Sequence, residues 1–251
     1  MKNTIYNLFM IVIIGLISGQ VNAAEISLRS PHGITISGKI EAGDYDKLKN
    51  FLLDQNNLEN FTSLVELNSP GGNVDEAIKI SNLLKMGFAK VAVLKGDVCF
   101  SSCFLIYAGG VQRILLGKLG VHRLSLIDNE VSVKNNEKIV DPKSKDVENF
   151  LLSMGIPRKI IDKMNETSPA DLFTIDLAYL NQEKLVYAME YQPNFIDVVE
   201  KQCGLNPVLA FERGGSEPSE NDLQKFTDCS HRVRGKNLNL ELENFIKMIL
   251  K

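Results

Sequence analysis

The sequence lacks a stripe of clustered lysine and arginine residues. It carries 28 basic and 31 acidic residues, which gives a formal net charge of -3. Nucleic-acid binding depends on clustered basic side chains that displace counterions from phosphates, so we do not expect this class of function. Internal repeats and low-complexity tracts are also absent, and 251 residues suffice for one sizeable domain with a small appendage.

Long apolar runs are absent except near the start, where an apolar segment extends from Leu8 to Ile17. Lys2 is the only charge before Glu25, and small and polar residues lead to the tripeptide Val21-Asn22-Ala23. A charged start, a short apolar middle and a small-x-small ending are typical of a secretory signal peptide. We predict cleavage after Ala23 and a periplasmic or secreted location; an uncleaved membrane anchor is the alternative.

Cysteine is scarce, with four residues at positions 99, 103, 203 and 229. No second pair of ligands stands at zinc-binding spacing, so we expect no metal site, and the sequence implies no cofactor. An even number of cysteines in an exported chain favours disulfides, and we predict a bridge between Cys203 and Cys229. A bridge between Cys99 and Cys103 stays open, because a regular helix separates their Cβ atoms too far whereas a turn at Cys99 would permit it.

Strand and helix patterns alternate along the rest of the chain, which predicts a largely parallel α/β architecture. Strands are predicted at 26–28, 34–40, 64–67, 91–94, 114–116 and 119–122; helices are predicted after Asp44, after Asn73 or Asp75, at 102–107, at 147–154 and from Pro157. Residues 96–100 are predicted as a connection and 125–146 as a surface loop. We expect a core domain over 24–190 and a loop-like appendage over 191–251, ending in a helix near 240–250.

Three separate segments carry residue types suited to acyl-transfer chemistry. They are Asn68-Ser69-Pro70-Gly71-Gly72, Cys99-Phe100-Ser101-Ser102-Cys103 and Gly120-Val121-His122. The first two each follow a predicted strand and precede a helix, a position where a serine hydroxyl is exposed and main-chain N–H groups favour negative charge. The glycines of the first segment permit close approach of a ligand to the main chain.

Together these segments resemble the Clp protease proteolytic subunit family, and more closely a group of exported, Clp-protease-like proteins with a Cys-x-Ser-x-Cys segment. The resemblance covers roughly residues 34–190. It implies a crotonase-like α/β fold of repeated strand-turn-helix units and a serine peptidase. In the roles that it implies, Ser101 is the nucleophile, His122 the general base and Asp171 the acid that orients it, while Gly71 and Ser102 donate N–H groups to the oxyanion.

Several alternatives to these assignments stay open. Ser102 competes with Ser101, because the run to Ala108-Gly109 is one residue shorter than the family leads us to expect; both serines could also simply cap the helix. Asp162 and Asp176 compete with Asp171. The other two histidines, His32 and His231, match no family motif. A serine–lysine dyad would need a buried neutral lysine, whereas Lys95 and Lys118 are expected in solvent.

We therefore expect a hydrolase that acts on peptide or protein substrates outside the cytoplasm. The order Ser, His, Asp and the lack of a Gly-x-Ser-x-Gly segment count against an α/β-hydrolase fold. No ATPase partner is expected, because an exported chain has no ATP supply to one. We do not expect ring assembly, and a smaller homo-oligomer stays open as an alternative to a monomer. The competing hypotheses are a non-catalytic binding protein and an esterase-type acyl hydrolase.

Overall fold

The computed structural model describes residues 23–29, 33–124, 142–212 and 214–249. The predicted signal peptide up to residue 22, His32 and residues 125–141 of the predicted loop lie outside these ranges. None of the helices in these ranges combines the length and the apolar character needed to cross a membrane.

Strands and helices alternate through most of the described chain. The strands are β1 Glu25–Leu28, β2 Ile34–Ser37, β3 Val65–Asn68, β4 Lys90–Val93, β5 Val98–Phe100, β6 Gln112–Leu115, β7 Lys118–Val121 and β8 Phe173–Ile175. The helices are α1 Asp44–Phe51, α2 Gln55–Ser63, α3 Val74–Met86, α4 Cys103–Ala108, α5 Pro142–Ser153, α6 Arg158–Glu166, α7 Leu177–Gln182, α8 Val186–Glu190, α9 Pro193–Cys203, α10 Pro207–Glu212 and α11 Glu220–Ile249.

The strands form two sheets. The larger has the order β1-β2-β3-β4-β6, in which β1 is antiparallel to β2 and the remaining pairs are parallel. The smaller has the order β5-β7-β8, with β5 parallel and β8 antiparallel to β7. Strand β3 and helix α3 form one strand-turn-helix unit and β5 and α4 another. The predicted α/β class and its repeated units are thus confirmed.

Helix α3 begins where the sequence predicts. The Asn73 side chain accepts a hydrogen bond from the Glu76 N–H at 3.0 Å, which satisfies one of the unpaired donors at the helix start. Ala77, Ile80 and Leu84 are fully buried and fit the helical spacing of an apolar face. Helix α3 thereby anchors the turn that contains the first predicted site segment.

A buried arginine joins several elements through its hydrogen bonds. Arg113 on β6 is 1 % exposed. Its guanidinium donates to the carbonyl oxygens of Ala108 at 3.2 Å, Met154 at 3.1 Å, Ala188 at 3.4 Å and Tyr191 at 2.6 Å. Burial lowers the pKa of Arg113 to about 10, so the side chain keeps its charge at neutral pH. One cation thus joins the end of α4 to the ends of α5 and α8.

Four sequence predictions need correction. Residues 98–100, predicted as part of a connection, form β5; three residues carry too little periodic signal, and pairing with β7 decides their conformation. Helix α2 was missed, and α5 begins at Pro142, inside the predicted loop. The appendage is not loop-like but consists mainly of α9, α10 and α11.

The appendage is held by a disulfide and a small apolar cluster. The predicted Cys203–Cys229 bridge is present and joins α9 to α11 with a Cα–Cα distance of 5.8 Å. A second hydrophobic cluster contains Val111, Tyr187, Tyr191, Phe195, Val199, Phe226 and Val233. The disulfide and this cluster stabilise the helices of the appendage. The sequence of the appendage is mostly polar and does not by itself indicate this packing.

A basic cluster lies where α11 meets the larger sheet. Lys90 Nζ lies 2.8 Å from His231 Nε2, and Arg234 donates to the carbonyl of Phe88 at 3.2 Å. Burial, reinforced by the charge of Arg234, lowers the pKa of Lys90 to about 8. Burial likewise lowers the pKa of His231, with contributions from the Lys90 and Arg234 charges, so a neutral imidazole accepts from the lysine.

We expect Lys90→Met to be more stable than the wild type near pH 7, where the wild type holds a charged lysine in a partly buried position. Because the pKa of Lys90 is about 8 in the folded state against an ordinary 10.5, the unfolded chain binds more protons between these values. The free energy of unfolding of the wild type therefore rises with pH between about 8 and 10.5. The difference in stability between Lys90→Met and the wild type should become smaller over the same pH range. Urea unfolding at several pH values measures the difference.

Lys95→Met is the matched control for this experiment, since Lys95 is exposed and its replacement should leave the pH dependence unchanged. If Lys90→Met were less stable than the wild type at pH 7, the hydrogen bond to His231 would outweigh the cost of burying the charge.

Candidate active site

Main-chain hydrogen bonds bring the three predicted segments together. The Ser69 N–H donates to the Val98 carbonyl at 2.8 Å, and the Phe100 N–H donates to the Ser69 carbonyl at 3.0 Å. On the other side, the Ser101 N–H donates to the Gly120 carbonyl at 2.8 Å. The Cys-x-Ser-x-Cys segment thus lies between the glycine turn and the histidine segment, although the three are separated in sequence.

The smaller sheet places the three candidate catalytic residues at one of its ends. Strands β5 and β7 are parallel, and β7 pairs with β8 in an antiparallel register that sets Val121 opposite Phe173. Ser101 directly follows β5 and His122 directly follows β7, while Asp171 stands two residues before β8. Carboxyl ends of parallel strands and the amino end of an antiparallel neighbour share one edge, so all three residues emerge there.

Ser101 lies on a strained turn between β5 and α4. Its φ angle is +54°, a conformation that non-glycine residues seldom adopt, and its side chain is half-buried. Such a conformation costs about 1–3 kcal/mol and persists only where the surroundings impose it. A disulfide between Cys99 and Cys103, with a Cα–Cα distance of 5.2 Å, bridges the turn. The second possible disulfide is therefore present; the turn that permits it lies at Ser101 and not at Cys99, which belongs to β5.

Ser102 differs from its neighbour in burial. It is 3 % exposed, and its hydroxyl has no hydrogen-bond partner within the part of the chain that the structure describes. It also makes no side-chain cap of α4, so helix capping does not account for this serine. A substrate could reach the Ser101 hydroxyl more readily than the Ser102 hydroxyl.

The glycine turn packs directly against the serine turn. Gly71 has a φ of +93°, and a Cβ atom there would lie 2.5 Å from the Phe100 carbonyl oxygen, 2.8 Å from the Ser101 Cβ and 2.9 Å from the Ser102 nitrogen. Only glycine permits this approach, because all three contacts are shorter than those that real Cβ atoms show.

The N–H groups of the two glycines differ in their partners. The Gly71 N–H, predicted as an oxyanion donor, donates to the Ser69 hydroxyl at 3.0 Å. Neither the Gly72 N–H nor the Ser102 N–H has an acceptor among the described residues. The sequence gives no reason to prefer one glycine over the other as a donor. The hydrogen bond to Ser69 shows that the Gly71 N–H is occupied, whereas the Gly72 N–H is available among the described residues.

The His122 imidazole has a defined main-chain partner. Its Nδ1 lies 2.7 Å from the carbonyl oxygen of Arg123. A carbonyl only accepts, so Nδ1 carries the proton in the neutral ring and Nε2 is left as the acceptor. This is the tautomer that a general base needs. The role of the Arg123 carbonyl was not predicted, because a backbone oxygen leaves no signal in the sequence.

None of the candidate acids forms a hydrogen bond or ion pair with the imidazole within the described part of the chain. Asp171 is exposed, and within the described ranges its carboxylate forms no hydrogen bond or ion pair. Asp176 caps α7 by accepting from the Tyr179 N–H at 2.8 Å, and Asp162 is exposed on α6. No hydrogen bond joins the side chains of Ser101, His122 and Asp171 in the described part of the chain.

Other chemistries find less support at this edge. Lys95 and Lys118 are both exposed, as expected, and neither offers the buried neutral amine of a serine–lysine dyad. Within the residues that the structure describes, no group of three or more His, Cys, Asp or Glu side chains is arranged to hold a metal ion.

Comparisons with known proteins give likenesses in structure alone. No protein-family model and no curated protein sequence matches the chain. A mutant of 1510-N, a membrane-bound stomatin-specific protease, in complex with a substrate peptide is similar with 16 % identity and a TM-score of 0.43, covering 78 % of this chain and 95 % of that one.

Two further solved structures are similar over comparable lengths. ClpP1 from Listeria monocytogenes has 14 % identity and a TM-score of 0.41, covering 62 % of this chain and 86 % of its own. A methylmalonyl CoA decarboxylase has 10 % identity and a TM-score of 0.40, covering 90 % of this chain and 96 % of its own. With TM-scores below 0.5, these likenesses support no inference about activity.

Proposed function

We propose that the chain is a serine hydrolase that cleaves peptide bonds outside the cytoplasm. The observation that carries the proposal is the Ser101 turn. A serine with a φ of +54° follows a strand, precedes a helix and is bracketed by a disulfide. A strained strand-to-helix turn of this kind exposes a serine hydroxyl for nucleophilic attack. His122 follows the neighbouring strand at the same edge of the sheet.

In the proposed reaction, the Ser101 oxygen attacks the carbonyl carbon of the peptide bond while its proton passes to His122 Nε2. The carbonyl oxygen becomes an oxyanion that accepts from main-chain N–H groups of the glycine turn and of Ser102. His122 then returns the proton to the leaving amine, and a water molecule activated by the same imidazole hydrolyses the acyl-serine ester. Asp171 stands at the same edge and would stabilise the imidazolium.

The oxyanion donors are assigned by whether their N–H groups already donate a hydrogen bond. Gly71 donates to Ser69, so using its N–H would require that hydrogen bond to open. Among the described residues, the N–H groups of Gly72 and Ser102 have no acceptor, and they would bind the oxyanion without such a cost. Removal of one such donor typically costs about 2.7–4 kcal/mol of transition-state stabilisation.

The location outside the cytoplasm is supported by the cysteines. All four form disulfides, and no free cysteine occurs in the described residues. Disulfides form and persist in oxidising compartments, which agrees with the signal-peptide pattern at the start of the sequence.

A fluorophosphonate probe tests the proposal on the folded, oxidised protein. We expect stoichiometric covalent labelling, and fragmentation of the labelled peptide by mass spectrometry should place the probe on Ser101 rather than Ser102. Reductant should weaken the labelling, because opening the Cys99–Cys103 bridge frees the strained turn. Absence of labelling in both redox states would exclude an activated serine.

The second candidate is a non-catalytic binding protein on the same fold. It is favoured by one observation, the lack of a hydrogen bond between Ser101 and His122 among the described residues. Catalytic hydrogen bonds are often long before substrate binds, so the probe experiment decides between the two. An esterase-type hydrolase would also label, and parallel assays with peptide and ester substrates separate it from a peptidase.

A further inference from the structure

A buried carboxylate holds the main chain at the predicted cleavage point. Ala24 is fully buried, and its nitrogen lies 3.2 Å from Asp44 Oδ2. Asp44 is 2 % exposed, and the same oxygen accepts from the Glu41 N–H at 2.7 Å. The first residue of the predicted mature chain is thus tied by its own nitrogen to the start of α1.

Among the described residues, Asp44 differs from the other buried carboxylates in having no basic group as an ion-pair partner. Glu66, 5 % exposed, pairs with Arg29, and Glu76, 6 % exposed, pairs with Lys79 at 2.8 Å. Within the described ranges, no basic group lies within ion-pair distance of Asp44. A buried carboxylate without a compensating cation is costly, so this position calls for one.

The neighbouring charged groups are already engaged. Lys47, one turn along α1, donates to the carbonyl oxygen of Ala24. Lys39 pairs with Glu41 at 3.0 Å. The Glu76 carboxylate, on α3, also accepts from the Gly43 and Tyr45 N–H groups at 3.2 and 2.9 Å. None of these lysines is therefore available as an ion-pair partner for Asp44.

We propose that the cationic partner of Asp44 is the α-ammonium group of Ala24, created when the chain is cut after Ala23. The inference rests on the export included in the proposed function. Cleavage hydrolyses the amide bond, so the Ala23 carbonyl leaves as a carboxylate and the Ala24 nitrogen becomes a protonated amine with three donors. An amide that donates one hydrogen bond is thereby replaced by a charge-assisted pair with a buried carboxylate.

The new ion pair is connected to the glycine turn. The Glu41 N–H bound by Asp44 is adjacent to Ile40, whose N–H donates to the Gly71 carbonyl at 2.9 Å. The Ile40 carbonyl in turn accepts from the Asn73 N–H at 2.8 Å. Asp44 is thus a positioning residue: it fixes the segment against which the turn carrying Gly71 and Gly72 rests. Removal of the predicted signal peptide would therefore stabilise the segment that supports the glycine turn.

The test compares two forms of the protein purified after export. One begins at Ala24, verified by mass spectrometry; the other carries a Gly-Ser-Gly extension that keeps an amide at this nitrogen. The readouts are the pKa of the α-amino group, followed by NMR of reductively methylated amine, and the folding equilibrium constant as a function of pH. Neither readout depends on hydrolase activity, so failure of the proposed function would not affect them.

We expect the pKa of the Ala24 amine to exceed the ordinary value of about 7.7–8.0 by at least about one unit. The form that begins at Ala24 should then have an about tenfold larger folding constant below pH 7. Because the folded-state pKa is raised, this advantage is fully present below the unfolded pKa and is lost as the pH rises through the folded pKa.

Asp44→Asn should abolish both the raised pKa and the difference between the two forms. Asp46→Asn, a change at an exposed aspartate of the same helix, should preserve both. An Ala24 amine with an ordinary pKa and equal folding constants for the two forms would overturn the proposal. A mature chain that begins at another residue would also overturn it.

Discussion

Replacing Ser101 by alanine is expected to abolish covalent labelling by a fluorophosphonate and any hydrolysis of peptide substrates. The change removes the hydroxyl on the strained turn while a Cβ atom remains, so the fold should be retained. Loss of a serine nucleophile in a hydrolase of this chemistry typically lowers kcat by about 10⁶-fold. Labelling is read on gels and hydrolysis with peptide libraries, and circular dichroism confirms that the variant is folded.

Ser102→Ala is the matched control, because it changes the adjacent serine and leaves its N–H in place. The buried hydroxyl has no partner in the described residues, so we expect the control to keep its labelling. His122→Ala should lose labelling as Ser101→Ala does, since no other histidine of the described residues stands at this edge. Labelling that survived in Ser101→Ala and disappeared in Ser102→Ala would reverse the assignment of the nucleophile.

The convergence of the three segments is what the resemblance to the Clp protease family implies, and each segment also has a local signal. Asn68 to Gly72 follows an apolar strand and contains turn-forming residues, and Cys99 to Cys103 precedes an apolar helix. Parallel strands in sequence order then place the ends of such units at a common edge. Local patterns alone do not give this convergence, because they predict a connection at 96–100 and miss β5, the strand that Ser101 follows.

The details that decide the chemistry could not be predicted, because they are local contacts between a side chain and the main chain that depend on the exact backbone conformation of each turn. The Ser69 hydroxyl occupies the Gly71 N–H, and the Arg123 carbonyl holds Nδ1 of His122. Neither contact corresponds to a sequence motif, because one partner in each is a main-chain group that every residue carries. Strand β5 is similar: its three residues become a strand because Ser69 and β7 pair with them on either side.

The Cys99–Cys103 bridge illustrates how the sequence constrains structure without fixing it. A spacing of four residues excludes a bridge within a regular helix, so the bridge requires a break in the backbone between the two cysteines. The structure has this break at Ser101, where φ is +54°. The bridge therefore spans the turn that holds Ser101, and the cysteine spacing indicates a non-helical backbone at this position.

Replacing Arg113 by methionine is expected to lower the free energy of unfolding by about 3–5 kcal/mol, the largest effect on stability that we predict. Methionine fills the space of the aliphatic part and removes the donors. The carbonyl oxygens of Met154, Ala188 and Tyr191 would lose their bonds to the guanidinium, while the Ala108 carbonyl keeps a hydrogen bond from Gln192 at 3.1 Å. Each buried acceptor left unpaired costs about 1–3 kcal/mol.

Arg113→Lys should also be strongly destabilised, because a single ammonium cannot donate to oxygens from three helix ends as the planar guanidinium does. Arg232→Met is the matched control at an exposed position of α11 and should change stability by less than about 0.5 kcal/mol. Denaturant unfolding followed by circular dichroism measures all three variants. Wild-type stability in Arg113→Met would mean that water replaces the guanidinium at these carbonyls, and the ends of α4, α5 and α8 would then be held by apolar packing alone.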